Sequence, residues 1–133
     1  MPKFSKKSIA KLDTCHPKLK ELCERVIEIT DFTVTEGHRD KETQDLLQRE
    51  GKSQLRWPHS MHNSQPSMAV DLYPYPVDFY GTKRFGYLAG LMIATAHSMG
   101  MKIRWGGDWD MDGNLKDQNF HDLPHFELVD IGE

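Results

Sequence analysis

Apolar residues at Leu19, Leu22, Cys23, Val26 and Ile27 recur at helical spacing behind Pro17, whose fixed φ suits a first helical turn. That spacing makes the first 30 residues read as helical. Phe32-Thr33-Val34-Thr35 alternates apolar and polar, the pattern of a short strand ending at Glu36-Gly37. Asp40 can cap a helix through Lys41–Arg49, with Gly51 as its stop. A further strand is predicted over 68–72, ended by Pro74 and Pro76. Residues 85–99 carry the stripe Leu88, Leu91, Met92, Thr95 and Met99 before Gly100, which predicts the best later helix. Residues 102–105 and 125–129 read as two more strands. The pattern predicts an α+β fold, three main helices against a small, mostly antiparallel sheet.

Two stretches lack periodicity. Residues 52–67 hold turn formers, Trp57-Pro58 and the pair His59 and His62, and residues 106–119 are rich in Gly, Asp and Asn. Structureless loops of this length are uncommon in compact domains and are usually functional or disordered.

The chain has 133 residues, 38% hydrophobic and 28% charged, which suits one domain over 1–133 whose core needs neither disulfide nor structural metal. Seventeen Lys and Arg against twenty Asp and Glu leave a net charge of −3, without the basic field of a general nucleic-acid binder. No run approaches the ~20 apolar residues of a membrane span. The charged stretch 1–7 is followed by no apolar segment, so no secretion signal is expected. Cys15 and Cys23 lack CxxC spacing, and Cys23 falls on the first helical stripe as a small apolar residue. Reduced thiols fit synthesis in a cytoplasm.

Candidate chemistry is concentrated at the edges between loop and strand. Two neutral imidazoles, His62 and His125, with the carboxylate of Asp71 can hold Zn²⁺ and leave a fourth position for water. His59 and His121 compete with them, through HxxH and HxxxH spacings; Pro124 disfavours the helix that the second pair would need. Asp122 could serve as general base near such a centre, or be an ordinary turn aspartate. Arg39 could bind an oxyanion or a carboxylate, although its spacing alone reads as a surface arginine. His16 and His97 read as structural or solvated. Tyr73, Tyr75, Phe79, Tyr80 and Trp109 could line a cleft, and Trp105, on a predicted strand, reads as core. Asp108, Asp110 and Asp112 suggest a calcium loop, but Asn119 stands where an EF-hand requires glutamate.

Taken in order, several segments carry a resemblance. They are Phe32-Thr33-Val34-Thr35-Glu36-Gly37-His38-Arg39, the helix containing Gln44, Gly51-Lys52-Ser53, and the run from Ser60-Met61-His62 to Ala69-Val70-Asp71. Arg104-Trp105-Gly106-Gly107-Asp108-Trp109 and Asp122-Leu123-Pro124-His125-Phe126-Glu127-Leu128 complete the set. Together they resemble the zinc peptidases that include D-alanyl-D-alanine carboxypeptidases and the L-alanyl-D-glutamate endopeptidases of tailed-phage endolysins. Ser60, His62, Ala69 and Asp71 fill the family's SxHxxGxAxD pattern, with Ser67 at the glycine and His62 and Asp71 nine positions apart, two more than the pattern has. The longer spelling resembles a phage branch.

The resemblance implies a hedgehog/D-Ala-D-Ala metallopeptidase-like fold, zinc held by His62, Asp71 and His125, a catalytic acid at Asp122, and a substrate- or transition-state-binding arginine at Arg39. It implies a phage-type lysis enzyme that hydrolyses the L-alanyl-D-glutamate bond of the peptidoglycan stem peptide. The alternatives are a D-alanyl-D-alanine carboxypeptidase and a non-catalytic wall-binding or virion module. An intact Asp122 favours an enzyme over a binder. The expected partner is bacterial peptidoglycan, with no nucleic acid, no stable membrane insertion and a monomeric state. Synthesis in the host cytoplasm without a signal would require a separate pore-forming protein before the enzyme reached the wall.

Overall fold

Three polar side chains open the first three helices of the computed structural model, which describes residues 3–77, 82–114 and 122–132. Ser5 Oγ accepts from Ser8 N at 3.1 Å ahead of α1 (Lys6–Leu12), and His16 Nδ1 accepts from Lys18 N at 3.1 Å ahead of α2 (Pro17–Val26). Asp40 Oδ1 does the same for Thr43 N at 2.8 Å ahead of α3 (Lys41–Arg49), pairing a donor that the first turn leaves open. The predicted helical stretch at the start is thus two helices. Pro17 cannot donate to a continuing helix, and the intervening His16 N bonds instead to Ser67 O at 2.9 Å.

The remaining elements are β1 (Phe32–Glu36), a 3₁₀ turn (Met61–Asn63), β2 (Ala69–Pro74), α4 (Thr82–Ser98), β3 (Lys102–Gly106) and β4 (Asp122–Asp130). Four α-helices therefore stand among the described residues where three were expected, and the fold is α+β. All three strand pairings are antiparallel, in the order β1-β2-β4-β3. Strand β2 runs through Pro74, because the ladder to β4 ends at Asp71 and leaves the strand one-sided beyond it. Strand β4 begins at Asp122 rather than after Pro124, so Asp122 is a strand residue and not a turn residue. It pairs with Gly106, where a Cβ would collide with the Asp122 carbonyl; glycine is what lets the two backbones meet.

One face of the sheet holds Phe32, Val34, Val70, Leu72, Ile103, Trp105, Phe126 and Leu128, packed with Leu19, Leu22, Cys23 and Val26 of α2 and Leu88 and Met92 of α4 in one buried core. Both cysteines are free and buried, and burial pushes the Cys15 thiol up to about 11, which keeps it protonated and inert. Phe126 is fully buried at the sheet centre, so Phe126→Ala is expected to cost about 3–5 kcal/mol of stability. Urea denaturation checks it; a loss below about 1 kcal/mol would contradict this placement. Strand alternation turns Asp71, Tyr73, Arg104, His125 and Glu127 to the opposite face.

Candidate active site

Within the aperiodic stretch 52–67, the 3₁₀ turn over Met61–Asn63 presents His62. Ser60 Oγ accepts from His62 N at 3.2 Å, and Asn63 Oδ1 accepts from Ser60 N at 3.0 Å, a reciprocal cap on the 3₁₀ turn. Asn63 Nδ2 also donates to Arg39 O at 3.1 Å and to Gln44 Oε1 at 3.2 Å, tying the turn to α3. The His62 ring is 1% exposed, whereas His59 points to solvent. His62 Nδ1 lies 2.8 Å from the carbonyl of Gly37, which only accepts, so Nδ1 carries the proton and Nε2 of the neutral ring offers a lone pair.

Asp71 and His125 are direct register partners on β2 and β4. His62 Nε2 is 3.1 Å from Asp71 Oδ1 and 3.2 Å from His125 Nδ1, and His125 Nδ1 is 3.5 Å from Asp71 Oδ1. His125 Nε2 faces Glu127 Oε1 at 2.8 Å. A proton on Nε2 for that carboxylate leaves Nδ1 with its lone pair toward the other two donors. Three lone-pair donors facing one another repel unless a cation stands among them. A metal ion or a proton satisfies that need, and two imidazoles with one carboxylate suit zinc in a site with an open position. Burial disfavours a charged Asp71, yet the facing His62 and His125 overcome it and hold the carboxyl below the usual carboxylate range. For His125, burial is likewise outweighed by hydrogen bonds to Asp71 and Glu127, which raise the metal-free imidazole to about 9.

Arg39 corrects the expectation from spacing: it is 9% exposed and not a surface arginine. Its Nη1 donates to Gln44 Oε1 at 2.8 Å, and its Nη2 lies 3.7 Å from Asp71 Oδ2. Gln44 is the completely buried residue of α3, while Leu46 of the same helix is exposed. A bulge between Val34 and Glu36 brings Thr35 and Glu36 to the same cleft. The cleft, of about 520 Å³, also takes in Arg39, Lys52, Leu55, His62, Asp71, Tyr73, Trp109, Asp122, His125 and Glu127. Burial and the charge of Asp71 raise the Asp122 carboxyl, opposed by His125, His62 and Arg39.

Trp109 leans on His125 with ring centroids 5.3 Å apart, while Tyr75 is exposed away from the cleft. Trp105 is core, its Nε1 donating to Leu123 O at 2.7 Å. His16 caps α2 and His97 is exposed on α4. Phe79, Tyr80, Asn119 and His121 lie outside the described residues. Asp108, Asp110 and Asp112 form a second carboxylate group, where some loss of solvation and hydrogen bonds with Asp112 and Asp108 push the exposed Asp110 up to about 6. Sequence reading missed Glu127 as a partner of His125 and Gly37 as a partner of His62. Strand alternation could have found the first, since residues 125 and 127 must share a face.

The sequence model of the family described as phage L-alanyl-D-glutamate peptidase matches residues 1–129. The chain belongs to that family. It is 29% identical over 135 aligned positions to the L-alanyl-D-glutamate peptidase of Escherichia phage T5, covering 96% of this chain and 98% of the phage protein. The crystal structure of the Serratia marcescens L-Ala D-Glu endopeptidase ChiX is similar with a TM-score of 0.76 and 27% identity, over 95% of this chain and 89% of that one. The vancomycin-resistance D,D-dipeptidase VanXYg, crystallised with a D-Ala-D-Ala phosphinate analogue, shares the fold at a TM-score of 0.52 and 20% identity. That match covers 85% of this chain and 48% of the dipeptidase. The D-Ala-D-Ala metallopeptidase-like fold expected from the sequence is therefore the one found. The chemistry open to this chain is set by the side chains it places in the cleft.

Proposed function

We propose that this peptidase cleaves the L-alanyl-D-glutamate bond of the bacterial peptidoglycan stem peptide, with zinc held by His62 Nε2, Asp71 Oδ1 and His125 Nδ1. The observation that carries this reading is the convergence of three lone-pair donors, His62, Asp71 and His125, whose outward atoms are already engaged. Bound zinc would supply a Lewis acid that polarises the scissile carbonyl and acidifies water. Asp122, with its raised pKa, takes a proton from the attacking water and returns it to the leaving amine. Arg39, aimed by Gln44 and Asp71, places a fixed cation where the carbonyl oxygen gains charge or where a neighbouring substrate carboxylate lies. Trp109 and Tyr73 give the cleft aromatic walls for the peptide. The protein works as one domain and one protomer, made in the host cytoplasm and released to the wall by a separate pore-forming protein. No helix among the described residues is long and apolar enough to cross a membrane.

The test is mass spectrometry of purified peptidoglycan digested with and without a zinc chelator. Chelator-sensitive fragments with new D-Glu amino termini support the proposal. Release of terminal D-Ala alone would reassign the activity to a carboxypeptidase, and absence of any product would leave a wall-binding module.

Zinc binding should also depend on pH in a definite direction. Because His125 titrates near 9 in the metal-free site, zinc must displace its proton below that pH. Affinity is expected to rise with pH and level off above about 9, with about one proton released per zinc at pH 7. Calorimetry in buffers of different ionisation enthalpy measures that proton directly. Zinc binding without proton release at pH 7 would count against His125 as a ligand.

A further inference from the structure

We infer that Glu127 is a positioning residue for the metal site, acting through His125 and itself held by Arg104 across the β3–β4 ladder. The inference rests on the zinc reading above and concerns what makes His125 a competent ligand. Trp109 packs against the His125 ring, but packing distinguishes poorly between ring nitrogen and ring carbon, which are nearly the same size. The hydrogen bond of 2.8 Å from His125 Nε2 to Glu127 Oε1 does distinguish them. It holds the proton on Nε2 and turns the lone pair of Nδ1 toward His62 and Asp71. A rotated ring would present carbon to the site, and the opposite tautomer would present a proton.

The other oxygen of the same carboxylate is engaged as well. Glu127 Oε2 lies 3.4 Å from Arg104 Nη1, and Arg104 is the register partner of Glu127 on β3. Glu127 is 9% exposed, and the guanidinium beside its second oxygen fixes the orientation of the carboxylate. His62, by contrast, relies on the Gly37 carbonyl. The two histidines thus differ in how they are oriented: one by backbone, one by a charged pair that spans two strands.

The experiment is zinc affinity, measured by competition with a chromogenic chelator, on wild type, Glu127→Gln, Glu127→Ala and Arg104→Gln. Thermal melting of each metal-free protein and the visible absorption of each cobalt-loaded form accompany it. Glu127→Ala is expected to bind zinc about 10–100-fold more weakly. Glu127→Gln, which keeps volume and one acceptor oxygen but loses the charge, should fall by about 10-fold with a shifted cobalt spectrum, and Arg104→Gln should move less in the same direction. Should Glu127→Ala fail to fold, the near-isosteric glutamine variant carries the test. Affinity of Glu127→Gln within about twofold of wild type would overturn the inference whatever happened to the melting temperature. Wild-type protein that bound no zinc would remove the inference together with the zinc reading, so the two failures are distinct.

Discussion

Asp122→Asn is expected to lower the turnover of peptidoglycan by about 10²–10⁴-fold while zinc content stays at the wild-type level. Asparagine keeps the size of the side chain but can neither take nor return a proton at the pH of catalysis. The backbone position survives the change, because the strand pairing of residue 122 with Gly106 depends on the missing Cβ of the glycine and not on the carboxylate. The environment explains why a carboxylate suits the task here. Burial and the nearby Asp71 raise Asp122, and the cationic or polar groups His125, His62 and Arg39 limit that rise. The group is thereby drawn toward the working pH, where a general acid and base is most effective. New D-Glu amino termini counted per unit time, with zinc quantified on the same samples, decide the matter. Turnover within about threefold of wild type would remove Asp122 from the mechanism.

His62→Ala is expected to abolish retained zinc and to reduce turnover by at least ~10³-fold, since the Lewis acid contributes several kcal/mol to the barrier and tenfold in rate is about 1.4 kcal/mol. The loss has two parts. One of three converging donors disappears, and the Gly37 carbonyl inside the fold loses its partner. The second part should cost about 1–3 kcal/mol of stability in the metal-free protein, as for any buried acceptor left unpaired. His59→Ala is the matched control. His59 is exposed and outside the converging group, so its removal should change neither zinc content nor turnover by more than about twofold. Zinc retained by His62→Ala and lost by His59→Ala would place the ligand at the other histidine.

Much of the framework is legible in the sequence. Helices α2 and α4 follow from the 3.6-residue period, and strand β1 from the two-residue alternation, that burial imposes on a chain. The caps at Asp40 and Gly51 were legible because a short carboxylate ahead of a helix and a glycine after it answer local hydrogen-bonding needs; Gly51 indeed has φ +76°. That a separate short helix, α1, precedes Pro17 is less legible, because the residue between the two helices is held by Ser67, 51 positions further along the chain, accepting from His16. Asp122 was placed in a turn because a proline and an aspartate read locally as one, whereas Gly106 on another strand draws that segment into the sheet.

The same division runs through the site. The available chemistry is written in the order of residues: two histidines and an aspartate with the motifs around them, Asp122, and Arg39 beside a helix start. Which groups meet, and in what state, depends on how the elements pack. Packing buried Arg39, because Gln44 Oε1 accepts from its Nη1 and the carboxylates of Asp71 and Glu36 lie beside the guanidinium. His62 and not His59 was brought to Asp71 and His125 by the cap on one turn and a carbonyl at the end of β1. Glu127 was given its place by a cross-strand register that also supplies Arg104. Local pattern is dictated by each segment's own need to bury apolar surface and pair its backbone, and so can be read residue by residue. The protonation and orientation of a buried polar group depend on partners distant in sequence, and the fold alone supplies those.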